Sequence, residues 1–255
     1  MKFLTIIPSH KRPWQMETLF SVLGDCYVTV DDTQMEDYKD VVPPERLIQH
    51  PILHGMGAIR KWIADWCKDK CDCFAMLDDD VRHVDSCVHP KPYRYKTPEN
   101  IIPLLENMGQ ILLDLDLPLG TFCGGTSIAM HYSNVLPFSL NKWAAQVYVI
   151  NTSWLDRVNF SPEFPVAEDD DISLEAFLHS DARAIIRDNR FRFEFGQMCG
   201  NEGGLRSEES MNQWHDSHVR LKEKWKGYVT MESNDNGQYT GCKVKVPRKN
   251  REGKH

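Results

Sequence analysis

Three consecutive carboxylates, Asp78, Asp79 and Asp80, follow a short apolar run that begins at Phe74. The run has the length and composition of a buried strand, along which side chains point alternately to opposite faces. Adjacent acids at the end of a strand repel one another, so a positive group is expected to hold them together. A hard divalent cation that also binds substrate phosphates fits this cluster, and an acidic turn exposed to solvent is the alternative.

A second acidic run, from Glu168 to Asp171, stands at the predicted start of a helix. Acids in the first turn of a helix cap its free amides and oppose its dipole, which accounts for two of the four. A carboxylate within hydrogen-bond distance of a hydroxyl group can also act as a general base. Glu168, Asp169 and Asp170 are the candidates for that role.

A polar loop follows the first apolar run of the chain, and two acids follow the second. The loop begins at Pro8 and contains Ser9 and Arg12, and its amides and guanidinium suit a nucleotide or a phosphate group. Asp31 and Asp32 stand at the end of the second predicted strand. A basic loop and an ordinary Asx turn are the plainer interpretations of these two segments.

Two glycine-containing segments allow close approach of the backbone to another group. His54 to Lys61 opens a predicted helix, where Gly57 and the helix N-terminus favour an anion. It lacks the G-K-[ST] ending of a Walker loop. Thr121 to Ser127, which contains Gly124 and Gly125, is either a segment beneath a ligand or a tight turn.

The elements that position these residues follow an α/β pattern. A strand at Phe3–Ile7, a helix at Trp14–Leu23 and a strand at Tyr27–Val30 form a βαβ unit, which predicts a mostly parallel sheet in the first half. The polar clusters then meet at the carboxyl ends of the strands, where such sheets bind ligands. Further elements are predicted at Met56–Trp66, Thr97–Leu115 and Glu168–His179 (helices) and at Ala144–Ile150 (strand).

Composition limits the classes of function. The 255 residues are 41% hydrophobic and carry a net charge of −7, which excludes a uniformly basic nucleic-acid binder. No apolar run approaches the roughly 18–20 residues that span a bilayer, so we expect no membrane segment. Met1–Pro8 is too short for a signal peptide and the protein is expected in the cytoplasm. The domain is predicted to occupy residues 1–221, with a basic C-terminal extension over 222–255.

Eight cysteines are expected to be reduced thiols in that compartment. Four of them lie close together in the sequence, and a structural zinc site there is the alternative to buried free thiols. The spacing C-x3-C-x-C matches no common zinc motif. The four are Cys67, Cys71, Cys73 and Cys87.

The order of these motifs over residues 3 to 218 resembles that of nucleotide-sugar glycosyltransferases with the GT-A fold. The chain is most similar to the TET-associated glycosyltransferases, many of them encoded by bacteriophages. The resemblance implies a nucleotide-sugar donor, UDP-linked in our interpretation, with Mn²⁺ or Mg²⁺ as cofactor. It implies as acceptor the 5-hydroxymethyl group of a modified pyrimidine in DNA, and the host cytoplasm as location.

The resemblance also implies roles for individual residues. Asp78 and Asp80 correspond to the metal-binding acids, and His215 is the first choice for a histidine that completes the site, His218 the second. Glu168, Asp169 and Asp170 match the catalytic ED-type motif. The donor would contact Pro8, Ser9, Arg12, Asp31, Asp32, Gly57, Arg60, Asp78, Asp79, Gly124, Gly125 and Arg206.

Three alternatives differ in chemistry or acceptor. The first keeps the transfer but moves the sugar to a hydroxyl group of a glycan, lipid or protein. The second is a Mg²⁺-dependent nucleotidyltransferase, which also clusters carboxylates but attacks the α-phosphate. The third is a non-catalytic nucleotide-binding module, in which the second acidic run would have no catalytic function.

Overall fold

The computed structural model describes residues 1–88, 93–124, 136–140, 142–180, 185–196, 208–234, 236–237 and 239–244, with side chains from 213 onward in the last helix. Ten strands form one sheet and two more form a separate hairpin. The strands are β1 (Phe3–Pro8), β2 (Tyr27–Asp31), β3 (Leu47–His50), β4 (Cys73–Leu77), β5 (Val81–Ser86), β6 (Tyr93–Tyr95), β7 (Leu119–Cys123), β8 (Phe138–Leu140), β9 (Val147–Asn151), β10 (Ile185–Phe195), β11 (Val229–Ser233) and β12 (Tyr239–Val244). The α-helices are α1 (Met16–Leu23), α2 (Met35–Tyr38), α3 (Met56–Cys67), α4 (Pro98–Leu115), α5 (Glu168–His179) and α6 (Glu208–Lys224).

The first half of the chain forms a parallel sheet in the order β3-β2-β1-β4. Ile6 of β1 pairs with Tyr27 of β2 on one side and with Met76 of β4 on the other. The predicted βαβ unit and the α/β class are therefore confirmed. A short 3-10 turn at Pro13–Gln15 precedes α1, and its proline stands at the first position, where no intrahelical amide bond is lost.

The second half extends the sheet with strands of mixed direction. β9 pairs antiparallel with β4 and β7, and β10 pairs parallel with β7 but antiparallel with β5. The sequence analysis did not predict β3, β5, β6, β7, β8 or β10 as strands. The outer strand order of this half is β9-β7-β10-β5-β6, and β8 also pairs with β10.

Helices cover both faces of the sheet, and β1 shows how the faces divide. Ile7 of β1 belongs to the apolar cluster that includes Leu19 of α1 and Leu105 of α4. Its neighbour Ile6 belongs to the other cluster, with Ile63 of α3. Since successive side chains of a strand alternate, one strand contributes to both cores. Among the described residues, no helix has the length and apolar character to cross a membrane.

The hairpin of β11 and β12 follows α6 directly. Leu221 of α6 and Val229 of β11 are buried against Phe164 and Leu174. The predicted division between residues 221 and 222 falls inside α6, so the described part of the C-terminal segment continues a helix of the main body. The division into a domain over 1–221 and a separate extension over 222–255 therefore remains a prediction.

Candidate active site

Arg60 of α3 joins the two acidic clusters of the sequence. Its guanidinium donates from Nη2 to Asp78 Oδ1 at 2.7 Å and from Nε to Glu168 Oε1 at 3.1 Å. The side chain is only 3% exposed, and its guanidinium carbon lies 4.6 Å from the centre of the Tyr148 ring. One buried cation thus fixes the end of β4 against the start of α5.

Asp79 connects the same cluster to the loop after β1 that contains Ser9 and Arg12, called the first loop below. Its carboxylate accepts hydrogen bonds from Ser9 Oγ at 2.6 Å and from Arg12 Nη1 at 2.7 Å. The Tyr38 hydroxyl supports the loop by accepting from the Arg12 amide at 2.8 Å and sharing a 2.7 Å hydrogen bond with Ser9. Asp79 is therefore committed to holding the loop.

Asp80 differs from both neighbours. Burial, and then the charges of Asp78 and Asp79, raise the pKa of Asp80 to about 6. Arg12 offsets this only in part, because its guanidinium is bonded to Asp79. A carboxylate in this position gains from an additional positive charge, and its hard oxygen atoms suit Mg²⁺ or Mn²⁺. The residues present therefore fit a divalent cation at Asp80 and Asp78.

The first two acids of α5 both have raised pKa values. Burial raises the pKa of Glu168 despite the opposing charge of Arg60. Burial and the charges of Glu168 and Asp170 raise the pKa of Asp169 to about 8. A carboxyl group with a pKa near the working pH is suited to general acid–base catalysis.

The last two acids of the run accept hydrogen bonds from side chains of other segments. Asp171 is completely buried and accepts from Lys224 Nζ at 2.8 and 3.0 Å and from Trp225 Nε1 at 2.7 Å. Asp170 accepts a hydrogen bond from the Trp143 indole. Asp171 therefore holds the end of α6, a role that the sequence analysis did not predict.

Asp31 and Asp32 follow β2 and face different surroundings. Asp31 is buried and accepts bonds from the amide and hydroxyl of Thr33 and from Gln34. Burial would raise the pKa of Asp31, but these hydrogen bonds outweigh it and lower the value. Asp32 is exposed and accepts a 2.7 Å bond from Gln49. Asp31 thus forms the predicted Asx turn, and Asp32 is the acid open to a ligand.

The glycines approach protein backbone or side chains closely. Gly57 donates its amide to Phe164 O at 3.1 Å, and an added Cβ there would lie 2.3 Å from the same oxygen. Gly124 follows β7, where a Cβ would lie 3.0 Å from Gln146 Oε1. Donor binding by these glycines remains a prediction. The predicted donor residues Gly125 and Arg206 lie outside the described residues.

Comparison with known families decides what this arrangement belongs to. The family described as TET-associated glycosyltransferase matches residues 3–191, which include both acidic clusters and Arg60. The chain belongs to this family. The prediction of a nucleotide-sugar-dependent glycosyltransferase is thereby confirmed, and the nucleotidyltransferase and non-catalytic alternatives are set aside. No curated protein matches the sequence.

Solved structures share the fold of this TET-associated glycosyltransferase. A mycobacterial protein aligns with a TM-score of 0.55 and 14% identity over 94% of this chain and 82% of its own. Glucosyl-3-phosphoglycerate synthase from Mycobacterium tuberculosis, solved with Mg²⁺ and UDP, aligns with a TM-score of 0.54 and 10% identity over 95% and 86%. The predicted GT-A fold is confirmed.

The two candidate histidines of the glycosyltransferase lie on α6 in different environments. His215 is about half exposed, contacting Asp216 at 3.5 Å and the Tyr239 ring at 4.7 Å between ring centres. His218 is 3% exposed and its Nε2 lies 3.6 Å from Asp170 Oδ2. The contacts shown for His215 do not include Asp78 or Asp80, so its role as a metal ligand remains a prediction.

Sequence reasoning missed the aromatic residues that support the acids. Tyr148 lies under Arg60, Tyr38 holds the first loop, and Trp143 donates to Asp170. Tyr148 and Trp143 lie in or beside the predicted strand Ala144–Ile150, where aromatic residues are common. The one signal in the sequence was that a Tyr hydroxyl group and a Trp indole N–H need hydrogen-bond partners when they are buried in an apolar stretch.

Proposed function

We propose that the protein is a metal-dependent glycosyltransferase that moves a sugar from a UDP-linked donor to the 5-hydroxymethyl group of a modified pyrimidine in DNA. The Arg60 bridge between Asp78 and Glu168 carries this proposal. It brings a cluster suited to a diphosphate and its metal next to a cluster suited to deprotonating a hydroxyl group. Sugar transfer requires these two functions side by side.

Asp78 and Asp80 would hold the Mn²⁺ or Mg²⁺ ion. When bound, the ion supplies positive charge to the departing diphosphate. The fit of Asp80, whose pKa is raised by burial and by adjacent acids, supports this assignment. Arg12 adds positive charge at the same edge of the sheet. The similar mycobacterial synthase was solved with Mg²⁺ and UDP, which agrees with this choice of donor and ion.

The nucleoside would lie beyond the first loop, against the end of β2. Asp32 is the exposed acid there and would accept a hydrogen bond from the ribose or the base. Asp31 keeps the turn in shape through Thr33 and Gln34. Ser9 and Pro8 form the adjoining backbone, and Asp79 keeps this loop in place through Arg12.

Asp169 is the better candidate for the base. Glu168 already accepts from Arg60, so part of its charge is used to fix the two clusters together. Asp169 has no such cation at hydrogen-bond distance among the described side chains, and its raised pKa, about 8, makes its ionised carboxylate a stronger base than an ordinary aspartate. In the transfer, Asp169 would accept the hydroxyl proton of the acceptor as the oxygen attacks the sugar.

A DNA acceptor requires that the modified base leave the stack to reach the donor. The family supports this acceptor through its association with TET enzymes. The net charge of −7 favours the alternative, a hydroxyl group on a glycan, lipid or protein, because a DNA duplex is itself strongly negative.

The test supplies the enzyme with a panel of UDP-sugars and Mn²⁺, and with matched DNA that contains hydroxymethylated or unmodified pyrimidines. The expected result is UDP release and a sugar-sized mass increase only on the hydroxymethylated DNA. Asp169→Asn should remove the mass increase. If UDP release does not depend on the DNA but increases with a glycan or peptide hydroxyl group, the proposed DNA acceptor is wrong and the alternative acceptor is supported.

A further inference from the structure

A histidine, a cysteine and a carboxylate from three different elements converge on one point beside the second acidic cluster. They are His218 of α6, Cys242 of β12 and Asp170 of α5, and their ligand atoms lie within 4.8 Å of one another. Among the described residues, these are the His, Cys and acidic side chains whose possible ligand atoms come this close together. We propose that Asp170, His218 and Cys242 bind a zinc-type cation that fastens the C-terminal hairpin to the start of α5.

The two distances to Asp170 are close to those between tetrahedral zinc ligands. Zinc at its usual bond lengths separates a nitrogen from an oxygen ligand by about 3.3 Å, and a sulfur from an oxygen ligand by about 3.6 Å. His218 Nε2 lies 3.6 Å and Cys242 Sγ 3.9 Å from Asp170 Oδ2. Both separations are too long for a strong hydrogen bond. Each exceeds the ideal separation by about 0.3 Å, and the ligand atoms of His218 and Cys242 lie within 4.8 Å of each other.

Surrounding groups orient the ligand atoms. The Tyr239 hydroxyl shares a hydrogen bond with His218 Nδ1, which leaves Nε2 directed toward Asp170. The Trp143 indole donates to Asp170 Oδ1, so Oδ2 is the oxygen that faces the histidine and the cysteine. Outer hydrogen bonds of this kind fix the orientation of ligands in metal sites.

The donor set differs from that of Asp78 and Asp80. Carboxylates alone suit Mg²⁺ or Mn²⁺, whereas a thiolate with an imidazole selects zinc. The site also differs from the cysteine group at Cys67 to Cys87, whose thiols the sequence analysis considered as zinc ligands. Zinc here would have a structural role, because it would join Cys242 of β12 to Asp170 of α5. Asp169 is the residue before Asp170 on the same helix.

The first measurement uses the full chain, stripped with a chelator and titrated with Zn²⁺ and Co²⁺ in the absence of nucleotide. We expect one equivalent of Zn²⁺, a higher melting temperature, and a thiolate-to-cobalt charge-transfer band with Co²⁺. Hydrogen exchange across β12 should slow when Zn²⁺ binds. A wild-type protein without the cobalt band would overturn the proposal whatever the variants do.

Variants locate the site. Cys242→Ser and His218→Gln should lose the cobalt band and the zinc-dependent rise in melting temperature, while Cys87→Ser should keep both. Far-UV circular dichroism in chelator confirms that each variant is folded before it is compared. A band that survives Cys242→Ser and disappears in Cys87→Ser would assign zinc to the other cysteine group and overturn the proposal.

Discussion

At the scale of single residues, three adjacent aspartates have three different environments. Asp78 is bonded to Arg60, Asp79 is bonded to Ser9 and Arg12, and Asp80 keeps the repulsion of its neighbours. The difference decides which acid stabilises the protein and which is open to a ligand. It also makes two isosteric substitutions, one residue apart, respond in opposite ways.

Asp80→Asn is expected to abolish metal-dependent nucleotide binding and to leave the free energy of unfolding equal or higher in metal-free buffer. The variant removes a buried charge that neighbouring acids repel. Asp79→Asn is the matched control, and should cost about 1–3 kcal/mol because it leaves the buried end of Arg12 without its carboxylate. Urea unfolding in chelator gives both values. A large loss for Asp80→Asn would make that residue structural.

The acids of α5 should separate turnover from donor affinity. Asp169→Asn is expected to lower kcat at least 100-fold with little change in donor Kd, since a missing base affects the transition state alone. Glu168→Gln should weaken both, because it loosens Arg60 and through it Asp78. Equal losses in kcat and donor affinity for Asp169→Asn would place this residue on the donor.

Asp31 provides a prediction about pH. Its pKa is lowered in the folded state, so its bonds to Thr33 and Gln34 stabilise the fold above the unfolded pKa and lose that effect as pH falls. Asp31→Asn should therefore cost about 1 kcal/mol at pH 7 and less at pH 3. Urea unfolding of both proteins across this range measures the difference. A cost that does not change with pH would contradict the assignment.

At the scale of elements, α1, α3, α4 and α5 followed from the sequence, whereas α2, α6 and all of the second half of the sheet except β9 did not. α5 was predicted from Glu168 to His179 and has those bounds in the structure, because its acids and apolar spacing are local signals. β10 has charged side chains at alternate positions, and Arg192 is paired with Asp85 of β5 across the sheet. Residues 190–195 alternate charged and apolar side chains, a local strand signal that the sequence analysis did not use, whereas the pairing with β5 joins distant segments that no local pattern connects.

The same distinction applies to the site. Both acidic clusters could be found because each is a run in the sequence. That Arg60 would connect them, with Tyr148 beneath it, depends on how α3 packs on β9 and α5. Lys224 and Trp225 illustrate the converse, because they belong to the segment predicted as a basic extension and both donate hydrogen bonds to Asp171 of α5.

The contact of α6 with α5 should therefore be measurable as stability. Lys224→Met is expected to cost about 1–3 kcal/mol, since it leaves the buried carboxylate of Asp171 with the Trp225 indole as its remaining partner. The lysine side chain is 28% exposed, so solvent screens the ion pair and limits the loss. Lys226→Met, an exposed lysine two residues on, is the control and should change little. Equal effects would show that the ion pair contributes nothing.

At the scale of the whole molecule, charge is the property that bears on the acceptor. The chain is acidic overall, yet five of the six residues with side-chain charge beyond Val244 are basic: Lys245, Arg248, Lys249, Arg251 and Lys254. Truncation after Val244 removes them and spares β12, whereas a cut after Gly241 would remove Cys242 and disturb the hairpin. The shorter truncation is therefore the cleaner test of DNA binding.

If this tail contacts DNA, affinity for hydroxymethylated DNA should fall steeply with salt, and truncation after Val244 should flatten that dependence. Removing one phosphate-binding side chain reduces the slope of log affinity against log salt by about 0.9 for duplex DNA. Hydrolysis of the donor without DNA should be unchanged, because residues of the two acidic clusters are untouched. Fluorescence anisotropy at several salt concentrations gives the slopes. If the truncated enzyme binds and modifies DNA like the full chain at every salt concentration, the tail does not contact DNA. That result would favour a glycan, lipid or protein acceptor.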